Sequence, residues 1–180
     1  MRRTGDDFVS LYPDVFQSSG LIRCKLQMMR TAPQPNGWRI GPALAGGLTL
    51  RFYASFRACE SLVHLQERVQ QTLPEYETWG IHVMASQMPD GSITIGDSHE
   101  YGNAIDIFNR EVIDRLILDY LASFSKFPNP SITERWHGVY AKHPTQPHCV
   151  FEPAPTIRIV TGVGGAGMTL SMGLAETLCN

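Results

Sequence analysis

Apolar and polar positions alternate along 21–32 (LIRCKLQMMRTA), setting Cys24, Leu26 and Met28 against Lys25 and Gln27. That period of two predicts a strand. The loop composition of 33–37 (PQPNG) follows, and then 48–56 (LTLRFYASF), rich in aromatic and β-favouring residues, predicts a second strand. Its faces would carry Leu48, Leu50 and Phe52 on one side and Thr49, Arg51 and Tyr53 on the other. From Glu60 to Leu73 the spacing changes to threes and fours (Leu62, Leu65, Val69, Leu73), which predicts a helix ended by Pro74. WGIHVMASQ (79–87) and SITIGDS (92–98), joined by Met88-Pro89-Asp90-Gly91, form the clearest hairpin signal in the chain. Residues 110–124 predict an amphipathic helix with Val112, Leu116, Tyr120 and Phe124 on one stripe, stopped by Pro128 and Pro130.

Two further strands are predicted at 132–141 and 148–153, around the turn HPTQP. The pattern closes with a short strand (157–161), a glycine-rich turn (GVGGAG, 162–167) and a helix (168–178). The first twenty residues read as a helix-like turn broken at Pro13 and closed by SSG. The fold class is α+β: a mixed, largely antiparallel sheet with helices, plus a final strand–turn–helix unit.

Composition narrows the function classes. The 180 residues are 43% hydrophobic and 18% charged, with 15 Lys+Arg against 17 Asp+Glu. Such a chain can form a folded core and lacks the basic surplus of a nucleic-acid module. The longest apolar run, 41–50, stops at ten residues, short of the ~18 of a membrane span. MRRTGDDF carries no apolar leader segment, and the four scattered cysteines (Cys24, Cys59, Cys149, Cys179) form no CxxC pair. The expectation is a reduced, cytoplasmic protein without a zinc site, a nucleic-acid partner or a membrane partner.

Chemistry concentrates at the end of the chain. Gly162-x-Gly164-x-x-Gly167 follows a strand and opens a helix, the local setting of a dinucleotide fingerprint. Glycines admit a ligand close to the backbone, and the first helical turn points unpaired N–H groups at negative charge. No second strand and no acidic residue about twenty positions on follow it, so it cannot begin a Rossmann unit. It reads instead as a last strand and helix added to a sheet formed elsewhere, with an apolar face around 157–178 left for that sheet.

VTGVGGAGMTLSMGLAETL resembles the C-terminal flavin-contacting segment of the D-amino-acid-oxidase-like FAD-dependent oxidoreductases, which include glycine oxidase and sarcosine oxidase. TGDDF (4–8), the hairpin GIHVMASQMPDGSITIGDSHEYG and the strand ERWHGVYAKHP fit the same family, nearest to a subgroup proposed to oxidise aminophosphonates. The resemblance implies FAD as cofactor and a small amine, amino acid or aminophosphonate as substrate. It divides the chain into a remnant of the FAD domain (1–20), a substrate domain (21–153) and the returning strand and helix of the FAD domain (154–180). The family's first βαβ unit, with its adenosine-phosphate site, has no counterpart within these 180 residues. The alternative is therefore a truncated, inactive fragment acting at most as a binding or interaction module.

On the family pattern, Gly162, Gly164, Gly165, Gly167, Met168 and Thr169 would border the flavin. The helix N-terminus there would stabilise charge gathering on the reduced ring. Tyr140 stands where glycine oxidases carry a carboxylate-binding arginine, Thr169 where sarcosine oxidases carry a lysine, and Thr94 where the latter place an oxygen-assisting lysine. A site that must grip a carboxylate would not lose both cations. The resemblance therefore points to another headgroup, or to cations placed differently at Arg51, Lys142 or Arg30. Candidate catalytic residues are His82, Tyr53 and Tyr140, and candidate substrate contacts are Arg51, Tyr53, His82, Tyr140 and Lys142. Each has a plain structural alternative: His82 and His137 as packed histidines, and Arg51 with Tyr53 as a packed sheet face. Asp97, Ser98, His99 and Glu100 resemble a metal or triad cluster, but consecutive residues do not face one point, so no site is expected there.

Overall fold

The computed structural model describes residues 5–179, excluding the Cys179 side chain. The leader reading at 1–4, Thr4 of the TGDDF match and the Cys179 thiol lie outside the described residues. The chain forms two compact units. One holds residues 26–100 and 106–138; the other holds the chain up to Lys25, residues 101–105 and everything from Val139 onward.

Helix α1 (Pro13–Ser18) precedes β1 (Ile22–Thr31), β2 (Leu44–Ala45), α2 (Ser61–Thr72), α3 (Pro74–Thr78) and the hairpin β3 (Met84–Gln87) and β4 (Ile93–Gly96). Then come β5 (Glu100–Gly102), α4 (Glu111–Ala122), β6 (Ile132–Lys142), β7 (Cys149–Ala154), β8 (Ile157–Thr161) and α5 (Gly167–Cys179). The main sheet runs β2-β3-β4-β1-β5, with β6 also pairing β1, and β7 and β8 form a separate hairpin. The registered pairings are antiparallel, as the α+β expectation requires.

In the first unit, Met29, Ile95 and Ala85 stand opposite one another across β1, β4 and β3. They pack with Ile81, Val83 and Ile93 against Ile113, Leu116, Ile117 and Leu121 of α4. The buried stripe of α4 thus lies beside the expected one: Val112 and Tyr120 are half-buried and Phe124 is exposed. Ile113 and Ile117 occupy the centre of the face, with Leu116 buried as expected and Val112 and Tyr120 packed along its edge.

Three other expectations give way. On β1 the buried side carries Lys25, Gln27, Met29 and Thr31, while Leu26 and Met28 are only half-buried. Gln27 can be buried because its amide is fully bonded, to the Arg110 N–H (2.7 Å), the Arg110 carbonyl (3.0 Å) and Asp114 Oδ1 (2.8 Å) at the start of α4. The segment 48–56 is two 3-10 turns, Gly47–Phe52 and Ala54–Ala58, not a strand. The Gly46 N–H ends the sheet pairing on the Val83 carbonyl (2.8 Å), Thr49 then bonds back to Gly46 (3.0 Å), and two successive residues, Leu48 and Thr49, are buried. Tertiary contacts override β propensity there. Pro13 begins a helix rather than breaking one, standing in the first turn where proline's missing N–H is harmless, and Pro74, which follows the end of α2 as expected, opens α3 in the same way.

The second unit has a smaller core of Phe16, Leu21 and Cys149, with Phe8, Phe151 and Ile159 packed on it. The β7–β8 hairpin pairs Cys149 with Thr161 and Phe151 with Ile159. Helix α5 leaves Met168 (98%) and Met172 (82%) exposed, in keeping with the expected apolar face. No helix among the described residues is long and apolar enough to cross a membrane.

Candidate functional site

Two constellations carry the chemistry, one in each unit. In the unit of residues 26–100 and 106–138, the hairpin arms continue past β3 and β4 as a bulge. Met84 pairs with Gly96, and the next exchange is between His82 and Asp97, whose N–H groups bond each other's carbonyls at 3.1 and 2.7 Å. One arm advances two residues while the other advances one, leaving Val83 as the extra residue. A bulge of this kind re-aims the side chains beyond it. Here it sets His82 and Asp97 opposite each other, and His99, two residues further on, joins them.

His82 Nε2 lies 2.6 Å from Asp97 Oδ1. The His82 and His99 rings stack at 4.7 Å with 6° between planes, and Phe52 stacks on both at 4.7 and 4.5 Å. All three polar residues are buried. His99 Nδ1 faces the Gly80 carbonyl at 3.2 Å, and since a carbonyl only accepts, that nitrogen is the donor. Gly80 has φ +55°, and a Cβ there would meet His99 Cβ at 2.8 Å and its carbonyl oxygen at 3.0 Å. Only glycine fits beneath this histidine.

Arg51 stands behind Phe52, its guanidinium 5.1 Å from the ring centroid. It ion-pairs with Glu77, donates to the Ile81 carbonyl at 3.1 Å and, through Nε, reaches the Leu48 carbonyl at 3.3 Å. All three nitrogens are engaged within the fold, and burial lowers its pKa against the opposing pull of Glu77. Tyr53 links the two 3-10 turns and is half-buried. Thus Arg51 and Tyr53 do not share a strand face.

The other unit contains the glycine turn. Gly162 (φ +75°) and Gly164 (φ +60°) use backbone that side chains resist. The glycines then divide by surroundings. A Cβ on Gly162 would meet a Leu21 methyl at 2.8 Å and one on Gly167 a Val163 methyl at 2.8 Å, so these two are packed against neighbouring side chains. On Gly164 it would meet nothing nearer than the Tyr140 ring at 4.0 Å, and on Gly165 nothing nearer than the Tyr140 hydroxyl at 3.9 Å, so the turn is open there. No side chain caps the 3-10 turn Gly164–Ala166 that leads into α5. Met168 and Thr169, in the first turn of α5, are exposed. Beside the turn, Lys142 bridges to Val163 in β fashion, donates to the Tyr101 hydroxyl at 2.9 Å and lies 4.6 Å from that ring's centroid.

The structure therefore groups Tyr140 and Lys142 with the glycine turn, and His82 with Phe52, Asp97 and His99. Asp97 and His99 were missed as partners of His82 because regular alternation predicts no such convergence. The signal in the sequence was the pair of histidines and an aspartate flanking a hairpin, but only the bulge brings them together. His137 instead faces Asn109 Oδ1 at 3.0 Å on the exposed edge.

The model of the DAO family, FAD-dependent oxidoreductases, matches residues 23–180, and the chain belongs to that family. No curated protein and no solved structure matches it. The open stretch Gly164–Gly165, without side chains and with uncapped N–H groups leading into α5, suits the edge of a flat, electron-accepting ring.

Proposed function

We propose that this chain forms the substrate-side and C-terminal part of a flavoenzyme that oxidises the C–N bond of a small amine bearing an anionic headgroup, with an aminoalkylphosphonate as the preferred class. The observation that carries the reading is the open glycine turn next to Tyr140 and Lys142, within a chain of the FAD-dependent family. Gly164, Gly165, Met168 and Thr169 would border the flavin, with the helix N-terminus favouring negative charge on it. Bound FAD supplies the hydride acceptor. Gly162 and Gly167 shape the turn without facing the ring.

Tyr140 and Lys142 would offer a hydroxyl and an ammonium as separate donors. A phosphonate, with three acceptor oxygens and up to two charges, suits separate donors better than the planar fork that a carboxylate prefers. Arg51, its nitrogens already engaged, would hold Phe52 in place rather than contact substrate. The test is anaerobic stopped-flow reduction of an FAD-loaded, full-length protein carrying this chain. An aminoalkylphosphonate should reduce the flavin with kcat/KM roughly ten- to a hundredfold above glycine or sarcosine, the worth of one charge-assisted contact. Lys142→Met should remove most of that ratio. Faster reduction by glycine or sarcosine would overturn the headgroup assignment.

A further inference from the structure

The cluster at the hairpin bulge has properties that proton-sharing alone does not satisfy. His82 Nε2 and Asp97 Oδ1 approach to 2.6 Å, yet Asp97 Oδ1 is without a hydrogen-bond partner, as is the buried His82 Nδ1. The carboxylate oxygen therefore lies off the axis along which the ring would donate. An oxygen and a ring nitrogen that share a metal ion adopt that relation, because the ion occupies the nitrogen's axis and the oxygen sits to its side. One ligand atom each from His82, Asp97 and His99 lies within 4.8 Å of the others, and all three residues are buried. Two imidazoles and one carboxylate form a common donor set for borderline divalent transition ions.

We propose that His82, Asp97 and His99 bind one divalent transition-metal ion of the zinc class. With ligand bonds of about 2.0–2.2 Å, two donors of one ion stand roughly 3–3.5 Å apart, so the His82–Asp97 pair must open from 2.6 Å while the imidazoles turn out of their parallel stack about χ2 to bring the third donor in. The Gly80 carbonyl, holding His99 Nδ1, is the outer partner that metal-bound histidines characteristically have. Phe52 stacks on both rings, and all three donors are buried. Arg51 behind Phe52 is paired with Glu77, so the nearby cation is compensated. The ion would neutralise a buried aspartate that otherwise lacks a full complement of partners. This assignment is independent of the flavin chemistry proposed above.

The test titrates the 180-residue chain with Co2+ and follows visible d–d absorption, then displaces Co2+ with Zn2+. One saturable equivalent is expected, with Zn2+ raising the melting temperature and Mg2+ leaving it unchanged, since hard cations favour all-oxygen sites. His82→Gln, Asp97→Asn and His99→Gln should each weaken Co2+ at least about tenfold, the low end for losing even an outer partner of a metal site. The remaining histidines, at 64, 137, 143 and 148, serve as controls, and Gln substitution there should leave the tight equivalent intact. If a variant at the cluster fails to fold, the wild-type Zn2+-against-Mg2+ melting shift decides. No saturable Co2+ binding, or an equivalent unaffected by the three cluster variants, overturns the site.

Discussion

Gln27 is the residue through which β1 holds the start of α4, and its removal gives a sharp test of the fold. Its side-chain oxygen accepts from the Arg110 N–H at 2.7 Å, while Nε2 donates to the Arg110 carbonyl at 3.0 Å and to Asp114 Oδ1 at 2.8 Å. Arg135 Nε, 3.0 Å from Asp114 Oδ2, is the carboxylate's other partner. The two bonds to backbone are worth about 1 kcal/mol each, and the bond to the carboxylate about 2 kcal/mol. Releasing a buried glutamine returns roughly 1 kcal/mol of side-chain entropy. Gln27→Ala should therefore cost about 3 kcal/mol, before any cavity effect. In urea, with a slope of about 2 kcal/mol per molar, the midpoint should fall by about 1.5 M. Gln27→Glu should be no better, because it replaces the donor aimed at Asp114 with a second acceptor. A double-mutant cycle with Asp114→Asn should show a coupling of at least about 0.5 kcal/mol. A loss below about 1 kcal/mol for Gln27→Ala, or no coupling, would refute the account of how α4 is anchored.

Other substitutions test the sites in the same way. Gly80→Ala forces a side chain into φ +55° and onto His99, and should cost about 2–3 kcal/mol in urea unfolding; a loss under about 1 kcal/mol would contradict the packing. Gly162→Ala should destabilise by about 2 kcal/mol through the Leu21 clash and its φ of +75°. Gly165→Ala should leave stability within about 0.5 kcal/mol but weaken FAD binding in an FAD-loaded protein containing this chain, and unchanged flavin affinity would remove that glycine from the flavin edge. Bonds from Ser92 hold the Asp90 carboxyl below the usual carboxylate range. A depressed folded-state value means the contribution is present above the ordinary carboxylate pKa and is lost as pH falls through the folded value. Asp90→Ala should accordingly flatten the acid limb of the stability profile, and an unchanged limb would exclude the turn as its source.

Much of the fold was legible because its signals were local. The hairpin at 79–98, the helices near 61–72 and 111–122, and the closing strand–turn–helix all follow from periodicity and turn residues. The failures were non-local. Residues 48–56 have strand propensity, yet Gly46 ends the sheet pairing and Arg51 folds back on its own turn, which no window of sequence reveals. The buried face of β1 carries Lys25 and Gln27 because helix α4, more than eighty residues away, supplies partners for the glutamine. The glycine turn was recognisable as a ligand-facing element, but only the surroundings separate Gly164 and Gly165 from the packing glycines. Asp97 and His99 could not be joined to His82 by alternation, since the bulge at Val83 changes the register between them.

The central claim is that this chain lines the substrate side of an amine-oxidising flavoenzyme. It is tested most directly by mixing an FAD-loaded protein containing residues 1–180 with small amines under anaerobic conditions and watching the flavin's visible band. Bleaching that depends on the amine, saturates with its concentration and slows in Tyr140→Phe and Lys142→Met is the result the account predicts. A flavin that stays oxidised with aminoalkylphosphonates, glycine and sarcosine alike would contradict it.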